Sequence, residues 1–351
     1  MTRVTMKDIA TVCGVSVMTV SNAFNRPDQL STELRERILA RAERMGYTGP
    51  DARARNLRSG RSNTYGVVFA ERLSYAFTDP FATAWLAGFS EVMEERGANV
   101  VLLSVPIGQP GALEAVQATA VDGLAGLCAT SAPLDAARAR GIPVVVTSDS
   151  PQGDQVVIDD RAAGLELALH LRRLGHTRVA LVVETLDPHA ATPVGMSADE
   201  FEGEAAGVRS EGFLDTWDRW QGIREGLDGL DVVVIVAGHN SRASGALAGP
   251  VILDRAERPT AVIAISDVLA LGVIDALRAR GLTPGREVSV AGFDDLPDLS
   301  ERAGLTTIHQ PIHDKGRLAA HLLLDPARQP RRITLPFALV VRSSTGPVPK
   351  Y

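Results

Sequence analysis

Two cysteines, Cys13 and Cys128, are too few to build a disulfide framework in 351 residues, and their scarcity fits a reducing compartment. No apolar run approaches the ~18 residues that a membrane helix needs, so a spanning protein is excluded. The chain has no Walker loop, and no Gly-x-Gly-x-x-Gly follows its first apolar strand, so no nucleotide cofactor is indicated. Gly-x-Ser-x-Gly and His-Glu-x-x-His are also missing, which removes the common serine-hydrolase and zinc-protease arrangements. His309 and His313 have an i, i+4 spacing, but Pro311 spoils the helix between them and no Cys or carboxylate cluster completes a metal set. The adjacent pairs Asp159-Asp160 and Asp294-Asp295 resemble glycosidase acids by count only, since neighbours on a strand point apart. No catalytic residue, metal or cofactor is expected.

What is present is an ordinary globular composition. With 45% hydrophobic and 22% charged residues the chain can bury real cores, and its length allows two or three domains. Arg3 and Lys7 before the apolar-leaning Ile9–Val20 stretch imitate a secretory leader. Asp8 at its border, Gly14-Val15-Ser16 inside it and the lack of an Ala-x-Ala site argue against one, so a cytoplasmic location is expected.

Charge is unevenly spread. Residues 1–61 carry eleven Lys/Arg against six Asp/Glu, a formal +5, and the remainder carries 25 against 36, a formal −11. A basic head on an acidic body suits a polyanion at one end, although a solvated charged face would give the same count. The pattern inside the head decides between them. Thr5 is placed to cap a helix, with Asp8 three residues on, and Met6, Ile9, Ala10 and Cys13 share one helical face. Gly14 interrupts, and Ser16 offers a second cap. In the next segment Val20, Ala23 and Phe24 turn inward, while Val17, Met18, Ser21 and Asn22 share the opposite face. A third helix from Ser31 buries Leu34, Ile38, Ala42 and Met45 and stops at Gly46. Two short helices joined by a tight turn can lay the second in a DNA major groove.

Val4-Thr5-Met6-Lys7-Asp8-Ile9-Ala10, Gly14-Val15-Ser16, Thr19-Val20-Ser21, Asn25, Gly46-Tyr47, Pro50 and Ala54-Arg55-Asn56-Leu57 together resemble the opening of the lactose/galactose-repressor (LacI/GalR) family. The resemblance implies that Val17, Met18 and Asn22 face base edges. It implies that Thr5, Ser16, Thr19, Ser21, Asn25 and Ser31 approach phosphates, with Tyr47, Ala54, Leu57 and Arg58 also on DNA. Side-chain chemistry agrees, since short hydroxyls suit phosphate oxygens, Asn pairs with adenine, and Val or Met touches a thymine methyl. Packing is the competing role for Val17 and Met18. Residues 50–61 are read either as a plain linker or, by the resemblance, as a hinge helix that orders on DNA and wedges Leu57 into the minor groove. Gly49 stands as an extra residue before Pro50, a departure from the family.

From residue 64 onward short β-branched runs alternate with amphipathic helices. The strands expected include Tyr65–Phe69, Val144–Thr147, Val179–Val183 and Val232–Val236, and the helices Phe81–Arg96, Arg161–Leu174 and Asp267–Arg280. Near-continuous apolar strands imply sheets covered on both faces, hence parallel and doubly wound. The resemblance continues through Asp159-Asp160, Leu174-Gly175-His176-Thr177-Arg178, Gly212-Phe213, Ala264-Ile265-Ser266-Asp267 and Gly292-Phe293-Asp294-Asp295. It implies a periplasmic-binding-protein-like body behind an all-α helix-turn-helix head. The divisions expected are 1–48 for the DNA-binding head, 49–62 for the hinge and 63–351 for an effector-binding and dimerisation domain. Within the last, one lobe would take about 63–160 and 292–321 and the other about 161–291 and 322–342, with crossings near 160, 291 and 321.

An effector would sit at the strand ends between lobes. The resemblance nominates Asp79, Phe81, Asp149, Arg209, Asn240, Asp267 and Gln310 as its contacts. Asp149 and Asp267 are equally placed to cap helices, and Phe81 to be core. Ser266 stands where the family commonly has Asn, and the long acidic 185–207 stretch reads as a solvated loop in preference to a lid. The reading is a homodimeric repressor on a pseudo-palindromic operator, controlled by a small effector, a sugar or sugar derivative, with no membrane partner. The rivals are a sugar-binding or sugar-processing protein with an incidental basic head, and a DNA-binding regulator controlled by a partner protein.

Overall fold

The computed structural model describes residues 4–47, 49, 62–107, 109, 111–148, 150, 152–185, 192–211, 214–325 and 330–349. They fall into two compact units, Met1–Ser62 and Asn63–Tyr351.

The first unit holds α1 (Met6–Cys13), α2 (Val17–Asn25) and α3 (Thr32–Arg44). Thr5 and Asp8 form a reciprocal capping box at the start of α1, and Gly14 ends it at φ +67, a left-handed conformation that costs glycine little. Ser16 caps α2 by accepting from the Thr19 amide at 3.0 Å, and Ser31 caps α3 by accepting from that of Leu34 at 3.3 Å. The three helices close on Ile9, Ala10, Val20, Ala23, Ile38 and Ala42, all buried.

The second unit is built from β1 (Thr64–Phe69), β2 (Asn99–Ser104), β3 (Gly123–Gly126), β4 (Val144–Val146), β5 (Asp154–Val157), β6 (Arg178–Val183), β7 (Val194–Ser197), β8 (Asp231–Val236), β9 (Ala261–Ala264), β10 (Ser289–Asp294), β11 (Thr306–His309), β12 (Arg332–Thr334) and β13 (Ala338–Val340), with helices between them. One sheet runs β12-β5-β4-β3-β1-β2 and the other β13-β11-β10-β9-β6-β8-β7. Pairing is parallel except at the second sheet's two edges, where β7 and β13 run antiparallel to β8 and β11. The result is two doubly wound α/β lobes, each with its own core.

The first crossing between lobes lies between β5 and the Asp160–Arg173 helix, which packs into the second core through Ala163, Leu167 and Leu171. The crossings expected near 291 and 321 are corrected. β10 is an interior strand, bonded to β9 and β11, and residue 321 lies within the Ile312–Leu324 helix. That helix contributes Ile312, Ala319, Leu322 and Leu323 to the first core, so the second crossing is at Gln310-Pro311. The third lies between β12, in the first sheet, and β13, in the second, so the lobe divisions at 291/292 and 321/322 fall with the crossings.

The loop expected over 185–207 is also corrected. Its described part forms β7 and the Ala198–Glu211 helix, started by Ser197 and Glu200 bonding reciprocally. Phe201 anchors it edge-on against Trp220, centroids 5.0 Å apart. Asp199, Glu200 and Glu202 are exposed, on the outer face of an amphipathic element that buries Phe201 and Ala205.

Three helix pairs interlock through reciprocal glycines. A Cβ at Gly88 would strike the carbonyl oxygen of His313, and one at Gly316 that of Trp85. Gly164 and Gly222 meet the carbonyls of Arg219 and Arg161 in the same way, and Gly245 and Gly272 those of Leu269 and Arg242. Among the described residues no helix is long and apolar enough to cross a membrane.

Candidate functional site

The cleft between the lobes opens at the carboxyl ends of the strands. Glu71 follows β1, Cys128 follows β3, Glu184 follows β6, Asn240 follows β8, Ile265 and Ser266 follow β9, and Asp294 ends β10. Tyr75 and Phe81 close the first-lobe side, and Thr216 and Arg219 of the Leu214–Gly226 helix the second. The space between them is partly open to solvent. Cys128 and Asp294 hold φ of +47 and +123, conformations that side chains other than glycine rarely take, so the rim stores backbone strain where two lining side chains are aimed.

Arg219 organises the second-lobe wall. Its Nε donates to Asp160 Oδ1 at 2.7 Å and its Nη1 to the Ile265 carbonyl at 3.0 Å, with the guanidinium over the Phe293 ring. Nη1 also lies 4.0 Å from Asp294 Oδ1. Burial pushes the Asp294 carboxyl well above the usual carboxylate range, against the attraction of Arg219. Gln310 Nε2 donates to Asp294 Oδ1 at 2.7 Å, and Lys315 Nζ donates to Gln310 Oε1 at 2.8 Å. The wall therefore presents carboxylates and one guanidinium among apolar rings. Such a surface exchanges hydrogen bonds with hydroxyls and packs against a ring face.

Phe81 and Asn240, nominated by the sequence, line this cleft, and Asn240 Oδ1 accepts from Ser266 Oγ at 2.5 Å. Ser266 also caps the next helix by accepting from the Leu269 amide. Asp79 is buried as the cap of the Pro80–Glu95 helix, accepting from Ala82 N at 2.9 Å, and desolvation raises its carboxyl to about 6. Gln310 stands one layer behind the wall, on Asp294. Asp267 is a correction. It is fully buried and its oxygens accept from Leu296 N, Ser300 Oγ and Thr307 Oγ1 at 3.0, 2.5 and 2.6 Å, so it ties the second lobe together and does not line the cleft. The pairing of Asp267 with Arg209 around a ligand falls with it. Asp149 and the side chain of Arg209 lie outside the described residues.

Sequence reasoning missed Glu71, Tyr75, Glu184, Thr216 and Arg219 as lining residues. Asp294 had a signal, since it stands in the Gly292–Asp295 motif and the strand before it ends there. Nothing local marks Arg219, whose position depends on how its helix seats on the second sheet. His309 and His313 diverge, the first to Asp295 and the second to Glu91.

On the first unit, Val17 is 43% and Met18 69% exposed, which removes the packing role weighed for them. Asn22 is half-buried, its Nδ2 donating to Gln29 Oε1 at 3.1 Å, and Asn25 Nδ2 bonds back to the Ser21 carbonyl at 3.0 Å. Thr5, Ser16 and Ser31 each mark a helix N-terminus, where amides and the positive dipole end favour an anion. Ser16 Oγ is also 2.8 Å from Thr19 Oγ1, which holds the two hydroxyls together. Tyr47 packs edge-on against Phe24, centroids 5.7 Å apart. Ala54, Leu57 and Arg58, with the rest of the expected hinge, lie outside the described residues.

Comparison with known proteins gives two family matches. Residues 5–49 match the model for bacterial regulatory proteins of the lacI family, and residues 168–345 that for a periplasmic binding protein-like domain. The chain is 38% identical to an HTH-type transcriptional regulator of Mycobacterium tuberculosis, covering 93% of this chain and 92% of that protein. It is 30% identical to the ribose operon repressor of Escherichia coli, covering 97% and 99%. Among solved structures it resembles a regulator from Enterococcus faecium with bound ribose, at 25% identity and a TM-score of 0.64, covering 81% and 99%.

Proposed function

The chain belongs to the LacI family of bacterial transcriptional regulators, and from that premise we propose that it is a homodimeric, cytoplasmic repressor released from or held on its operator by a sugar or sugar derivative. The observation that carries this reading is the cleft, lined by ionisable and aromatic side chains from both lobes at the strand ends, in a chain that starts with a helix-turn-helix. A relative named for the ribose operon and a ribose-bound structural neighbour support the effector class.

In this reading α2 enters the major groove, with Val17, Met18 and Asn22 at base edges and Thr5, Ser16, Thr19, Ser21, Asn25 and Ser31 at phosphates. Two copies present two such helices to a pseudo-palindrome. Tyr47, Ala54 and Arg58 complete the DNA surface, and Leu57 wedges the central step. The divisions 1–48, 49–62 and 63–351 serve as head, hinge and effector domain. In the cleft, Phe81 of the first lobe covers the ring while Asn240, Arg219 and Asp294 of the second take hydroxyls; Asp79 and Gln310 support them from behind, and Asp149 and Arg209 complete the set. A ligand touching both lobes favours their closed arrangement, and that preference is what reaches the hinge. No bond is made or broken, so the protein acts by binding alone.

The test pairs gel shifts on palindromes beside the gene with a thermal-shift screen of pentoses, hexoses, disaccharides and cyclitols. A palindrome preferred over random duplex, with affinity that one screened sugar changes, is the expected result. Preference without any sugar response would favour a partner protein as the controlling ligand.

A further inference from the structure

We propose that Lys315 is a positioning residue that sets the hydrogen-bond polarity of the effector cleft: by fixing the Gln310 amide in one orientation, it makes Asp294 meet the ligand as an acceptor. The inference rests on the cleft being the effector site.

The three residues form a line across the lobe boundary. Lys315 belongs to the Ile312–Leu324 helix of the first lobe and is 2% exposed. Gln310, buried, lies on the crossing segment, and Asp294 ends β10 in the wall of the second lobe. An amide's oxygen and nitrogen are nearly the same size, so the fold alone does not choose between its two orientations. Lys315 does choose. An ammonium carries donors and no acceptor, so the atom facing Nζ at 2.8 Å must be Oε1. The NH2 group then faces Asp294 Oδ1 at 2.7 Å. Reversing the amide would set donors against Lys315 and an acceptor against the carboxylate, both unfavourable inside the protein.

The consequence reaches the ligand. Among the described residues the Asp294 carboxyl accepts one hydrogen bond, from Gln310 to Oδ1, and the residue lines the cleft, so Oδ2 is left for a ligand. A hydroxyl or amine satisfies it, whereas an ether or carbonyl oxygen repels it. The donor held against Oδ1 favours the carboxylate form, against the burial that opposes it; without Lys315 the amide is free to turn, the protonated form gains, and its hydroxyl can donate to Oε1 or to an acceptor on the ligand. The charged groups around Asp294 are Arg219 from the Leu214–Gly226 helix, Asp267 from the Asp267–Ala279 helix and Asp79 from the first lobe. Glu71 and Glu184 line the same cleft, and Lys315→Met also removes the ammonium's own charge, which a change at Gln310 leaves in place.

The experiment uses the full chain with carboxyl-labelled aspartate, the Asp294 signal being assigned by its loss in Asp294→Asn. Lys315→Met and, as a second route that adds no charge and keeps the ammonium, Gln310→Met are each expected to move the Asp294 titration upward by about one pH unit, since each removes the enforced donor. In parallel, D-ribose and its mono-O-methyl ethers are titrated by calorimetry. The wild type should lose about tenfold or more against the ether that blocks the donor to Asp294, and Lys315→Met should lose much less. An Asp294 midpoint unchanged in both variants would overturn the proposal, as would an equal ether penalty in wild type and Lys315→Met. If D-ribose does not bind the wild type, the sugar assignment has failed at that probe, and the titration still decides the role of Lys315.

Discussion

Arg219 lies with its guanidinium carbon 3.9 Å from the centroid of the Phe293 ring, a cation over an aromatic face inside the protein. The same guanidinium holds Asp160 at the point where the chain first changes lobes, so one side chain joins the cleft wall to the crossing.

Removing Asp160 therefore takes its nearest carboxylate from a buried cation. Asp160→Ala should destabilise the body by about 3–5 kcal/mol, the usual cost of breaking a buried pair from one side. Arg219→Met should cost a similar amount, because it leaves the buried Asp160 carboxylate without its guanidinium, whereas Arg219→Met with Asp160→Asn removes both charges and should cost less. Denaturant unfolding of the single and double variants checks this, and a double variant as damaged as the sum of the two single ones would remove the pair from the account.

Asp79 makes stability depend on pH. Its carboxyl stands at about 6 in the folded protein, above the ordinary aspartate value of 3.8, so its neutral form is favoured by folding. That contribution is complete below 3.8 and is lost as pH rises through about 6. From 3.8 to about 6 the loss is of order 3 kcal/mol. Asp79→Asn keeps an oxygen for the Ala82 amide and has no charge to desolvate. Its melting temperature relative to wild type should therefore climb from about pH 4 to about pH 6 and level off above that, which a buffer series of thermal melts measures.

Asp267→Ala is expected to damage the fold and not the ligand contact. It leaves the Leu296 amide and the hydroxyls of Ser300 and Thr307 without their acceptor, at about 1–3 kcal/mol for each group that finds no other. Unfolding should shift in the absence of any sugar. A wild-type denaturation curve with weakened sugar binding would restore Asp267 to the cleft.

How much of this was legible in the sequence depends on the range of the interactions. The head was readable because caps and faces are local: Thr5 with Asp8, Ser16 with Thr19, and Ile9 with Ala10 lie within one turn of each other. The strands were readable from β-branched runs, and β3, Gly123–Gly126, was missed because two glycines hide its pattern. Ser197-x-x-Glu200 was a visible capping signal that the surrounding acids obscured. The crossing near 160 was legible, but those at Gln310-Pro311 and between β12 and β13, like the Arg219 wall, were not, since each is decided by which sheet a segment joins. Asp267 opens a helix as expected, but its carboxylate turns to Ser300 and Thr307, far along the chain.

On the head, Met18→Ala should relax operator choice at one base pair by about 1–3 kcal/mol while leaving the salt dependence of binding unchanged, because Met carries no charge to a phosphate. Competition gel shifts with single-base operator variants, repeated at two salt concentrations, read both quantities. A uniform loss on every duplex would place Met18 off the bases.

The reciprocal glycines have a mechanical meaning. Helices seated backbone on backbone cannot slide past one another without a carbonyl colliding with the opposite chain, so each pair behaves as a single stiff strut. One strut, Gly88 with Gly316, braces the first lobe, and two brace the second. Compliance is thereby pushed out of the lobes and into the three crossing segments. A ligand that drew the lobes together would rotate intact halves about those segments, with little of its binding energy lost in deforming either one.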